Sequence, residues 1–437
     1  MANNIKETKI QSVKLAPPPP GLPVYGKFTP REVAFIGRTN YVAALEEKKF
    51  IFGVKRSDRL RHVYAVGKSG VGKSKLLEVM VRQDIAAGEG VFFLDHHGEL
   101  ISSILDFVPE ERVDDVVVLD PVSGTGPIAW NPVADVPVAA RYQFAQSFTE
   151  IMAVQFGDHW NLRLEHLCRM LAIAILDVPE ANLNGLLLML TDAEFRSRAT
   201  ARVTDESARH FWTAEFGLWN DRFETEAVLP LVNKLIQLVR HPALAPTFRL
   251  PEDKLRLREA IDGRKIILVN LAREHLGEGN ADFLGALLIA KLKEIGMMRR
   301  GNGAASYVYL DEFNHLVTPT LQNLLGEAGR FGFALTLAHQ YIGQIPGDFI
   351  SAILANVGTV VVFRVSGEDA AKLESEMDPV FKARDMINLG TRQFYIRMII
   401  DGETYDPFSA EVLKVLPPPH PSFKERILER VRANYVL

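Results

Sequence analysis

Apolar positions along the chain follow two different periods. Short apolar runs bounded by turn residues lie at His62–Val66, Val91–Asp95, Val116–Asp120, Lys265–Leu271, Tyr307–Asp311, Ala334–Ala338, Thr359–Phe363 and Phe394–Ile400. Their length and continuity suit strands covered on both faces. Stretches of helical spacing separate several of them, such as Leu76, Leu77, Met80 and Val81. This alternation predicts an α/β fold with a mainly parallel sheet and helices on both faces. From roughly Pro132 to Glu259 it stops. There Leu164, Leu167, Leu171 and Ile175 recur three to four residues apart, as do Val228, Leu231, Leu235 and Leu238, which predicts an all-helical insertion between two strands of one sheet. Met170 and Phe211 in this interval are expected to be core. The predicted division is a proline-rich tail over 1–30, a first part of the sheet domain over 31–132, the helical insertion over 133–260, and the second part with a C-terminal tail over 261–437. No internal repeat is evident.

Composition narrows the class without naming a function. The 437 residues are 47% hydrophobic and 24% charged, enough for one large core plus an insertion or a second domain. The single cysteine, Cys168, excludes an internal disulfide and suits a reducing compartment. No apolar run reaches the length of a membrane span and the N-terminus lacks a signal-peptide core, so the expectation is a cytoplasmic protein with no integral membrane anchor. A net charge of −4 and a pI near 6.3 argue against a dedicated basic coat for nucleic acid. Any DNA contact must use local basic groups.

The chemistry begins at Gly67-Lys68-Ser69-Gly70-Val71-Gly72-Lys73-Ser74. Gly67, Gly72, Lys73 and Ser74 match G-x-x-x-x-G-K-[ST], whose glycines let backbone N–H groups turn inward around a phosphate at a helix start. In that reading Lys73 reaches the β and γ phosphates and Ser74 places its hydroxyl on Mg2+. A strand-like run precedes the loop and a helical one follows, which is the context the motif requires. Farther on, Tyr307–Phe313 is an apolar strand ending in two carboxylates. Asp311 is expected to hold the metal through water and Glu312 to polarise the attacking water, the alternative being two acids that merely cap a strand end. Gln340 closes the next strand, where its amide could sense the γ phosphate or instead cap a helix or bind water. Arg330 stands at a helix end before that strand, either as a cation balancing the helix terminus or as a group reaching a neighbouring subunit's nucleotide. Arg299 and Arg300 lie at the amino ends of strands and are not expected to touch phosphate in their own subunit. His96 and His97 follow Asp95, but sequence neighbours point opposite ways and no partner pair has ligand spacing, so no metal beyond magnesium is expected.

Placed in order, these segments resemble the HerA/FtsK class of ring ATPases, most closely the soluble ATPase portion of type IV secretion coupling proteins of the TraG/TrwB kind and HerA-like DNA translocases. The likeness rests on Gly67–Ser74, on Asp95-His96-His97-Gly98-Glu99-Leu100, and on Tyr309-Leu310-Asp311-Glu312-Phe313. Gly329-Arg330-Phe331-Gly332, Ala338-His339-Gln340 and Asn356-Val357-Gly358-Thr359 then follow in the family's order. It spans roughly residues 50 to 400. The resemblance implies a RecA-like P-loop NTPase, a homo-hexameric ring that hydrolyses ATP with Mg2+ and moves DNA, and Arg330 as the arginine supplied to the adjacent subunit. Coupling proteins usually carry an N-terminal membrane anchor, whereas a proline-rich tail precedes the ATPase segment here. The leading expectation is therefore an ATP-driven DNA translocase, with secretion-channel or DNA-processing proteins as candidate partners. Two rivals remain: a secretion-associated ATPase powering protein export or pilus assembly without DNA, and a nucleotide-dependent binding switch. Asn233-Lys234-Leu235-Ile236 lacks the aspartate that reads guanine, which disfavours a guanine switch.

Overall fold

The computed structural model describes residues 13–41, 49–122, 126, 129–179, 181–218, 224–299 and 303–436. The chain divides into two compact units, Met1–Gln83 with Leu335–Leu416 and Asp84–Ala334 with Pro417–Leu437. In chain order the strands are β1 (Val33–Thr39), β2 (Ile51–Lys55), β3 (Val63–Val66), β4 (Gly90–Asp95), β5 (Val116–Leu119), β6 (Ile266–Asn270), β7 (Ser306–Asp311), β8 (Phe333–His339), β9 (Thr359–Val362), β10 (Gln393–Arg397), β11 (Ile399–Ile400), β12 (Glu403–Thr404) and β13 (Phe408–Val412).

In the first unit β3 pairs in parallel with β8 on one side and β9 on the other. The ladder then turns antiparallel through β10, β13, β1 and β2. Every residue of β3 and β9 is buried, the pattern of strands covered on both faces. The antiparallel members β1, β2 and β13 escape the sequence reading: β2 and β13 are interrupted by Gly53 and by Ser409 and Glu411, while the apolar run Val33–Ile36 of β1 is not among the runs read as strands. Residues 13–30, read from sequence as a tail, are docked, with turns at 20–21 and 26–27. Ala16 N donates to Ser409 Oγ at 3.0 Å, Tyr395 Oη to Lys14 O at 2.9 Å, and Gly53 N to Pro23 O at 3.0 Å. Backbone groups of the segment bond to residues far along the chain, and Ala16, Leu22 and Pro23 are buried with them, a long-range docking that composition does not reveal.

In the second unit β4 lies between β7 and β6, and β5 follows β6, all parallel. The helical interval falls wholly within this unit, and its described residues from Arg141 to Asp262 hold helices and turns but no strand. Asn161 begins the helix Leu162–Ile175 by accepting from the N–H groups of Arg163 and Leu164, both at 3.0 Å. Leu164, Leu167, Leu171 and Ile175 form its buried face, and Leu231, Leu235 and Leu238 do the same on Leu229–Val239. Met170 and Phe211 are buried, with Trp212 Nε1 donating to Met170 O at 3.2 Å. No helix among the described residues is long and apolar enough to cross a membrane.

Candidate nucleotide site

The first unit builds the phosphate loop. β3 ends at Val66, residues 67–72 turn, and the helix Lys73–Ala86 begins at once. Gly67 is required by packing: a Cβ there would lie 2.5 Å from Phe363 Cβ. Gly70 and Gly72 are required by backbone, with φ of +73° and +127°. The loop is tied down at several points. Gly67 N donates to His339 O at 3.4 Å, Lys68 N to Arg364 O at 2.9 Å, and Arg392 N to Val71 O at 2.7 Å. Val71 is buried beneath it while Lys68, Ser69, Gly70 and Ser74 face outward. Lys73, only 6% exposed, donates its ammonium to Gly67 O at 2.6 Å and Lys68 O at 3.2 Å, so it sits over the loop's own carbonyls.

Gln340 follows β8 in the same unit. It is half-buried, and no hydrogen bond fixes its side chain among the described residues. The residue before it is anchored: a hydrogen bond of 2.6 Å joins the Tyr64 hydroxyl and His339 Nε2, both buried. Burial, then the nearby Lys73 charge, lowers the His339 pKa to about 3 and keeps the ring neutral. Sequence reading missed this Tyr64–His339 pair. Its only signal, a polar residue in each of two apolar runs, does not show that the strands are adjacent.

The second unit carries the acids. Asp311 ends β7 and Glu312 adopts a left-handed backbone, φ +48°, with its N–H bonded to Asp311 Oδ1 at 3.1 Å. A non-glycine residue in that conformation is strained, and such strain concentrates at functional sites. Both carboxylates are less than a tenth exposed. Asp95, at the end of β4, accepts from the N–H groups of His97 at 3.1 Å, Gly98 at 2.8 Å and Leu100 at 2.8 Å, organising the start of the helix Glu99–Phe107. Burial raises its pKa, and those three N–H groups oppose the rise. His96 turns inward and His97 outward.

Arg330 is exposed on the 3-10 turn Ala328–Phe331 at the amino end of β8 and makes no ion pair among the described residues. Arg299 has a structural assignment. It is buried, donates to Asp262 Oδ1 and Ala304 O at 2.9 Å each, and stacks over Phe333. Arg300 lies outside the described residues.

Comparison with known proteins places this arrangement. No curated protein sequence matches the chain. Among solved structures, the bacterial conjugative coupling protein TrwBdeltaN70 is similar over 86% of this chain and 90% of its own, at 13% identity and a TM-score of 0.65. The plasmid coupling protein TrwB in complex with ADP and Mg2+ covers 85% and 89%, at 13% identity and a TM-score of 0.61. VirB4 of Thermoanaerobacter pseudethanolicus covers 92% and 99%, at 10% identity and a TM-score of 0.57. These likenesses establish the fold as the RecA-like P-loop NTPase architecture with a helical insert. The family model of the type IV secretion-system coupling protein DNA-binding domain matches residues 53–378, most of the 437. The chain belongs to that family.

Proposed function

We propose that this chain is the ATP-hydrolysing subunit of a homo-hexameric, cytoplasmic motor that moves DNA, with secretion-channel or DNA-processing proteins as partners. The observation that carries the reading is the phosphate loop: a strand, a glycine turn braced by three neighbouring segments, and a helix opening on Lys73-Ser74. In this reading the N–H groups of residues 69–74 hold the phosphates of ATP and Lys73 offsets their charge. Ser74 and Asp311 hold Mg2+, whose role is to neutralise charge on the phosphate oxygens. Glu312 takes the proton of the attacking water, Gln340 orients that water against the γ phosphate, and Arg330 stabilises the transferring phosphate of a neighbouring subunit. The solved relative that holds ADP and Mg2+ supports the cofactor choice, and the family's DNA-binding description supports the cargo.

The test is hydrolysis with and without single- and double-stranded DNA across a salt series. DNA should raise the rate, and the stimulation should fall steeply with salt, because phosphate tracking works by counterion release. Activity that ignores both DNA forms and salt would favour a protein-export ATPase.

A further inference from the structure

His96 is a fully buried side chain with no part in the nucleotide site. Both of its ring nitrogens are buried and lack a hydrogen-bond partner among the described residues. Leaving two polar atoms unpaired in the interior is costly, so their surroundings are informative. The His315 ring stacks on that of His96 with centroids 4.4 Å apart. Asp282 Oδ1, itself buried and unpaired, lies 3.7 Å from His96 Nε2. One ligand atom from each of the three residues falls within 4.8 Å of the other two. They come from the end of β4, the helix Glu278–Arg299 and the turn Phe313–Leu316, all in the second unit.

We propose that His96, Asp282 and His315 form a binding site for a divalent transition-metal ion of the zinc type. Two imidazoles and one carboxylate are the donor set of three-ligand zinc sites that keep a further position for water. Tetrahedral coordination at about 2.0 Å requires ligand atoms about 3.3 Å apart. The set must therefore contract. His96 is fixed by burial, while Asp282 and His315 are half-buried and supply the movement, His315 by turning its ring out of the stack. The cations facing the cluster are Arg273 and Lys234, and Arg273 is paired with Glu278 at 2.8 Å. A bound ion would fasten the turn after Asp311-Glu312 to the segment after Asp95, coupling the two acidic loops of this unit.

The experiment uses the full, untagged chain without nucleotide, stripped by chelator and titrated with Co2+ and then Zn2+. The expected result is visible d–d absorption from low-coordinate Co2+ at one equivalent per chain, displaced by Zn2+ and absent with Mg2+. Affinity should fall about tenfold or more in Asp282→Asn and His315→Gln, whose positions are partly exposed, and also in His96→Asn if that variant folds. Zn2+ should raise the melting temperature of the wild type and not of these variants. His275→Gln, on an exposed residue outside the cluster, should bind like the wild type. Absence of the band at millimolar Co2+, or a band that survives both Asp282→Asn and His315→Gln, would overturn the site. Nucleotide plays no part in this measurement, so either result is independent of the ATPase reading.

Discussion

Replacing Lys73 with alanine should leave a folded chain whose ATP hydrolysis is reduced at least about 10² to 10³-fold, the cost of removing one preorganised donor from a developing phosphate charge. The fold should survive because the ammonium's bonds to the carbonyls of Gly67 and Lys68 lie within the loop itself. The helix behind it is held by Leu76, Leu77, Met80 and Val81, all fully buried, which the substitution does not touch. Removing the amine does leave those two carbonyls short of a donor, a cost confined to the loop. Circular dichroism and phosphate release together check the prediction. A folded Lys73→Ala chain with near wild-type turnover would remove Gly67–Ser74 from the catalytic account.

Mixing two inactive variants should restore hydrolysis. Glu312→Gln keeps the metal and nucleotide ligands but loses the base, so it should retain ATP and turn it over slowly. Arg330→Ala should lose about 10³ to 10⁵ in rate, as when an arginine finger is withdrawn. Arg330 is exposed at the amino end of β8 and free of ion pairs among the described residues, which leaves it able to act on another subunit. In a head-to-tail ring each site then needs Glu312 from one subunit and Arg330 from a specified neighbour. Random exchange in an equal mixture supplies both at roughly a quarter of interfaces. If Arg330 served its own subunit, no chain in the mixture would carry both groups and no rescue could occur. An inactive mixture with exchange confirmed would leave Arg330 as a helix-end cation.

Much of this was legible because the informative signals are local. The phosphate loop needs its glycines at fixed spacing, and a parallel strand buried on both faces reads as a continuous apolar run, as β3, β4, β7 and β9 do. Leu164, Leu167, Leu171 and Ile175 likewise announce a helix by period alone. What stayed hidden depends on distance in sequence. The docking of 13–30 rests on bonds between its backbone and the side chains of Tyr395 and Ser409. The Tyr64–His339 pair joins residues 275 apart. His96 shows the same limit: sequence offered only its neighbour His97, while the residues that gather around it, Asp282 and His315, stand far along the chain. Spacing rules see ligands only when one local segment supplies them.

The central claim is that ATP hydrolysis moves this chain along DNA, and displacement measures that directly. The substrates are a triplex-forming strand bound to duplex DNA and streptavidin bound to a biotinylated single strand. Each should be incubated with wild-type chain and ATP, with a non-hydrolysable analogue, or with the Lys73→Ala variant. The account predicts ATP-dependent release from at least one of the two substrates, and none with the analogue or the variant. Brisk hydrolysis without release from either, or release that proceeds equally with the analogue, would contradict it.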